Sequence, residues 1–402
     1  MQEAVIHRRD PTRKNVFLLA TCQALAMSGS SMLAAVAGLA GYMIADDKSL
    51  ATLPIACQFL ATMLSTIPAS LIMQRIGRRA GFTIGQLFGA VGALIAGFAI
   101  YDINFPLFIA GTFMIGIHNA FWQYFRFAAA DTASEGFRAR SISYVLAGGV
   151  VAAIIGPEVA KLSVDFFEPV KFAGSYVAFV VIVLIAISVL QFIEIPRASA
   201  GDRKDSGRPL KEIARQPKFI VAVLSSMLGY AVMAMVMTAT PLAMVACGHL
   251  FVDTAFVIQW HMLGMFAPSF FMGYLISRFG AIKIILVGVG LMIASVLTGL
   301  SGITVVQFWG ALLLLGLGWN CMFVGGTALL TETYRSAERA KAQGLNDFLV
   351  FTAVAISSFS SGAIQYQLGW DWINIAMVPP MIVVFIAVIW LRFRQHATVA
   401  TG

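Results

Sequence analysis

"EIPRASAGDRKDSGRPLKEIARQPK", residues 194–218, is the longest polar break in an otherwise oily chain. Three prolines, two glycines and seven basic residues give it the composition of a loop that stays in water. On both sides, apolar runs recur that approach or exceed the roughly 20 residues a bilayer-spanning helix needs. Twelve can be drawn: 16–42, 51–73, 80–100, 106–129, 141–163 and 173–193 before the break, then 218–246, 254–276, 284–300, 305–330, 343–365 and 372–391 after it. The 402 residues are 59% hydrophobic and 11% charged, against about 25% charged in soluble domains. No aqueous core absorbs that much apolar surface, so lipid is the solvent. The expected fold is an all-α membrane protein with twelve transmembrane helices in two six-helix halves. These are 1–193 and 218–402, joined by a linker over 194–217.

Basic residues set the expected orientation, because Lys and Arg collect in cytoplasmic loops. With the N-terminus inside, 23 of the 27 fall on the inner side, including Arg75, Arg78, Arg79, Arg138, Arg140, Arg278, Arg335, Arg339 and Lys341. Lys48, Lys161 and Lys171 fall outside, and Arg126 lies within a span. Both termini are then cytoplasmic. The net charge of +8 reads as topology and not as a nucleic-acid footprint. Arg8-Arg9 precedes an apolar stretch too long for a signal peptide, so that stretch reads as a retained first span. Cys22, Cys57, Cys247 and Cys321 have no CxxC spacing and read as small apolar residues; no metal or cofactor is expected.

The halves echo one another about 200 residues apart. "PASLIMQRIGRR" (68–79) parallels "PSFFMGYLISRFG" (268–280), each a proline-broken second span ending in Arg-x-Gly. "GIHNAFWQYF" followed by "FRAR" (137–140) parallels "GLGWNCMFVG" followed by "ERAK" (338–341). Such duplication is how many secondary transporters build a midplane site between two rocking halves.

Twelve spans split by a basic loop, with Arg75, Gly77, Arg78 and Arg79 after the second span, resemble the major facilitator superfamily. Its loop motif is roughly Gly-x3-Asp-Arg-x-Gly-Arg-Arg; here Ser70 and Gln74 stand for the Gly and Asp. The second copy keeps Gly273, Arg278 and Gly280 but has Ser277 for the Asp. Thr112-x3-Gly116 stands where the fourth-span arginine motif belongs, and the fifth-span antiporter motif survives as Gly156-Pro157. The resemblance implies a monomeric secondary carrier in a bacterial inner membrane, moving a small organic solute by alternating access. Within the family it points to metabolite carriers of the α-proteobacterial riboflavin-uptake branch. A drug/proton antiporter is the alternative. An intramembrane enzyme would need a nucleophile–base or metal constellation, and no HExxH or Gly-x-Ser-x-Gly occurs.

Candidate site residues come from polar positions in apolar runs, which face a bundle interior or a cavity. At about 100° per residue, His118, Asn119, Trp122, Gln123 and Arg126 share one face of the fourth span. Trp319 and Asn320 in the tenth span and Trp260 and His261 in the eighth offer matching groups. Two indoles and several amides suit a planar solute with polar edges. Arg126 lies five residues before Asp131, and Asp347 six after Lys341. Their similar depth makes them a candidate gate pair, with a snorkelling arginine as the rival reading. Glu158, with Lys161 one turn on, is a candidate for proton coupling or for a local ion pair. Asp131 and Glu135 read as solvated or capping.

Overall fold

The computed structural model describes residues 12–195 and 207–400, apart from 48, 49, 51 and 52. Arg8, Arg9, Lys48, Arg197, Arg203 and Lys204 lie outside the described residues. Helices account for almost everything described, and no strand occurs among these residues. The spans, numbered in chain order, are span 1 (Thr12–Ile44), span 2 (Leu53–Ile76), span 3 (Arg78–Tyr101), span 4 (Phe105–Trp122 and Phe125–Thr132), span 5 (Arg138–Ser163) and span 6 (Ala173–Leu190). A short helix, Leu210–Ala214, precedes span 7 (Pro217–Ala246). Span 8 (Phe251–Phe266 and Ser269–Phe279), span 9 (Ala281–Leu300), span 10 (Val305–Thr331), span 11 (Arg339–Leu368) and span 12 (Trp370–Ile375 and Val378–Ala400) complete the second half.

Ten helices among the described residues are long and apolar enough to cross a membrane. Spans 8 and 11 are the two not among them. Span 8 is cut at Ala267-Pro268 into helices of 16 and 11 residues, because Pro268 has no amide hydrogen to continue the ladder. Span 11 carries Gln343, Asn346, Asp347 and four serines between 357 and 361. The two prolines expected to behave alike do not: Pro68 lies inside an unbroken span 2.

The hairpins between spans 2 and 3 and between spans 8 and 9 turn on single glycines. Gly77 has φ 93° and ψ 157°, and Gly280 has φ 86° and ψ 149°, a region essentially reserved for residues without Cβ. At the opposite end, Asn104 caps span 4 by accepting from the Leu107 amide at 3.0 Å. The halves meet along two helix pairs, span 2 with span 11 and span 5 with span 8. Gly273 of span 8 lies against the backbone of Ala139 and Arg140 in span 5, an approach that any side chain would obstruct.

Gly77→Ala places a Cβ on that conformation and is expected to cost about 1–3 kcal/mol. Thermal unfolding in detergent should show a lower midpoint. Gly136→Ala, whose added methyl group meets open space, should show none of that shift; equal shifts would sink the argument.

Candidate functional site

Span 4 is not one continuous helix. It stops at Trp122, passes through Gln123 and Tyr124, and resumes at Phe125. No proline or glycine sits at the break. The ladder tightens there, with the Tyr124 amide donating to Phe121 O at 3.1 Å. The buried Tyr124 hydroxyl donates to Thr66 O of span 2 at 2.8 Å, which pins the turn. The residues beyond the break are therefore re-aimed relative to a regular helix.

Four of the five polar residues pair off, Asn119 with Trp122 before the break and Gln123 with Arg126 across it. Trp122 Nε1 donates to Asn119 Oδ1 at 3.0 Å, and Ser30 Oγ of span 1 approaches the same oxygen at 3.5 Å. Arg126 Nη1 donates to Gln123 Oε1 at 3.2 Å, and Nη2 donates to Asp347 Oδ1 of span 11 at 2.6 Å. Asn119, Trp122 and Gln123 retain 7–9% exposure, whereas the Arg126 and Asp347 side chains have 2% and 0%. A snorkelling Arg126 is thus excluded. Its guanidinium carbon lies 4.6 Å from the Phe127 ring centroid and 4.5 Å from that of Phe323, so the cation contacts two aromatic rings.

His118 joins neither pair. Its Nδ1 lies 3.2 Å from Gly85 O of span 3, so this nitrogen carries the hydrogen, and its ring meets Phe179 of span 6 edge-on. Gly89 makes the socket, since a methyl there would lie 2.8 Å from the imidazole. His118 sat at one margin of the expected arc, and a glycine-lined groove within the first half captured it.

In the second half, Trp319 stacks on Phe323 (centroids 4.8 Å apart, 16° between planes) and meets Tyr230 and Phe266 edge-on. Tyr230 also contacts Phe323 and Phe351. Through Phe323 this aromatic cluster abuts Arg126. Asn320 is diverted to a structural task. Its Nδ2 donates at 2.6 Å to both Met265 O and Ser269 Oγ, satisfying groups at the span 8 break. His261 is buried with Nδ1 2.7 Å from Leu312 O of span 10. Trp260 is 39% exposed and packs edge-on against Phe256 and Trp309, outside the cluster. Glu158 is exposed and pairs with Lys161 at 2.7 Å on the surface.

Asp131, expected in solvent, has a side chain only 7% exposed and set between two arginines. Arg78 Nη2 lies 2.8 Å from Asp131 Oδ2 and donates to Gln343 Oε1 at 2.7 Å, while Arg339 approaches Asp131 at 3.6 Å. Gln343 Nε2 donates to the Tyr334 hydroxyl at 2.6 Å. Ser70 Oγ and Gln74 Nε2 donate to Ala340 O and Ala337 O at 2.7 and 3.4 Å. With Arg126–Asp347, these contacts fasten the two halves together at the end of the molecule that carries the basic loops. Of the loop motif, Arg78 serves this closure, Arg79 bonds Gln191 of the segment after span 6, and Arg75 is exposed. Sequence spacing held no signal for Asp131, because its partners lie 53 and 208 positions away. Among the described residues no group of three His, Cys, Asp or Glu could hold a metal ion.

The Major Facilitator Superfamily family model matches residues 19–259 and again 227–401. The chain belongs to the major facilitator superfamily. It is 41% identical over 390 residues to the riboflavin transporter RfnT of Brucella anthropi, covering 96% of this chain and 98% of that protein. It is 28% identical over 407 residues to the MFS-type transporter YdeG of Bacillus subtilis, covering 95% and 93%. Among solved structures, the E. coli fucose:proton symporter FucP superposes with a TM-score of 0.75 at 17% identity, covering 95% of this chain and 99% of that one. A bacterial homologue of the iron transporter ferroportin, in an outward-facing state, gives 0.71 at 13%, covering 94% and 99%. This facilitator is accordingly a multi-pass secondary transporter of a small molecule, and not an enzyme.

The buried pair makes a quantitative prediction. Removing one partner leaves an uncompensated charge in a low-dielectric interior, so Arg126→Ala and Asp347→Ala should each lower stability by about 3–5 kcal/mol. The apolar double variant Arg126→Met/Asp347→Leu should recover most of that loss. Unfolding midpoints in detergent test it, and a double variant as unstable as the two losses added together would contradict it.

Proposed function

We propose that this facilitator carries riboflavin across a bacterial inner membrane by alternating access. The observation that carries this reading is the 41% identity to RfnT across nearly the whole of both chains. The site chemistry supports it: the Trp122 indole for a flat ring, with Asn119 and Gln123 of the same span to read its polar edge, and across the halves Trp319, one face of which is stacked on Phe323. Among the described residues the Nε1 of Trp319 has no hydrogen-bond partner, leaving a buried donor for a solute acceptor. We place the basic end in the cytoplasm, with both termini inside, the linker at 194–217 between the halves, and the monomer as the working unit in the bilayer. With that orientation the closed end is the inner gate. Arg126–Asp347 is its deepest latch, parted when the halves rock to face inward.

The pair need not be strongly stabilising to act as a gate. Desolvation offsets much of its Coulomb attraction, and a bias of about 1–3 kcal/mol still moves an alternating-access equilibrium strongly.

Counterflow of labelled riboflavin into proteoliposomes tests the substrate; a folded protein that shows none overturns the reading. Trp122→Ala and Trp319→Ala should each weaken riboflavin binding by on the order of 1 kcal/mol, about fivefold in affinity. Cysteines placed within 197–217 should react only from the cytoplasm, and those at 46–48 only from outside. Reversed labelling would overturn the orientation.

A further inference from the structure

The second half of the linker is docked, and it is docked on the loop that closes the basic end. Arg208 places its backbone amide, Nε and Nη2 on the Glu338 carboxylate at 2.8, 2.8 and 2.7 Å, and Nη2 also donates to Thr333 O at 3.0 Å. Gln216 Nε2 donates to the same Thr333 O at 2.9 Å, and Lys341 Nζ donates to Arg208 O. Gly207, at φ 56°, passes so close to the Glu338 side chain that a Cβ there would collide with it. Ile213 of the following short helix is fully buried in the main core. Glu338 itself is fully buried and also accepts from the Arg335 amide at 3.0 Å.

The Glu338 segment is the one the first half grips. Ser70 and Gln74 bond the carbonyls of Ala340 and Ala337, and Arg339 reaches Asp131. Two of those three contacts use backbone oxygens, which are in place only while the loop keeps its shape. We propose that Arg208 is a positioning residue of the gate: acting through Glu338, it holds residues 336–341 in the form that span 2 can close upon. The linker is thereby a working part of alternating access and not a passive tether.

The pair is built to persist. The Arg208 hydrogen bonds, ahead of the opposing effect of burial, hold the Glu338 carboxyl down at about 2 from its ordinary 4.5. A depressed carboxylate contributes fully above its ordinary value and loses that contribution only as pH falls through the lowered one. The strap is therefore intact across the physiological range and lost between about pH 4.5 and 2.

The test reads conformation directly and needs no substrate, so it stands whatever the solute proves to be. Spin labels at Arg75 and Arg278, exposed at the basic end of opposite halves, report the separation of that end. Wild-type protein should give a predominantly short distance. Arg208→Ala and Glu338→Gln should raise the long-distance population several-fold, and Arg208→Lys should restore part of the short one. In transport, depleting the state closed at this end should raise KM from the opposite side about 3–10-fold, with kcat changed less. Arg208→Ala protein that folds, yet keeps wild-type distances and KM, overturns the proposal. If Arg208→Ala does not fold, unchanged distances in both Arg208→Lys and Glu338→Gln overturn it equally.

Discussion

A guanidinium cannot rest alone in hydrocarbon, and the architecture is organised around how Arg126 is answered. Its anion is not on its own half. Asp347 comes from span 11, so satisfying the charge brings the two halves together. The rings of Phe127 and Phe323, again one from each half, both lie against the cation. A buried pair of this kind specifies a geometry more than it adds net stability. It makes closure at this level close to all-or-none, because a partly separated pair would leave two unmatched charges in a dry interface.

Above and below that pair the contacts differ in kind. Towards the basic end they are hydrophilic and repeated: Arg78, Asp131, Gln343, Tyr334 and Arg339 form a connected set in which most members serve more than one partner. In the other direction lie the tryptophan and amide side chains, which keep a little exposure. The helix pairs that carry the halves, span 2 with span 11 and span 5 with span 8, are exchanged by the internal repeat. Rocking about that interface can therefore close either end with equivalent helices.

The large features of this protein were legible because they follow from solvent and period. Apolar runs of bilayer length, the basic linker and the duplicated proline and Arg-x-Gly segments depend on nothing beyond local composition. The depth match of Arg126 and Asp347 could be counted from the loops. What could not be read depended on neighbours distant in sequence. His118 turned away because span 3 offers Gly85 and Gly89, and Asn320 was taken up by a carbonyl that the span 8 break released. Helical-wheel arithmetic also assumed a regular span 4, which the turn at Gln123 and Tyr124 interrupts. Tyr230, Phe323 and Phe351 carried no signal, since single aromatics in apolar runs are ordinary core residues until folding assembles them.

The two hydrogen bonds from Ser70 and Gln74 end on main-chain oxygens, and that gives the closure a lopsided chemistry. On span 2 the donors are side chains, so their identity is the contact. On the opposing loop the acceptors belong to the peptide bond, which every residue supplies. Drift at Ala337 should then be tolerated wherever the backbone path is kept, while any exchange at Ser70 that loses the hydroxyl removes its bond outright. At these two contacts span 2 supplies the chemistry and the opposing loop only the path of its backbone.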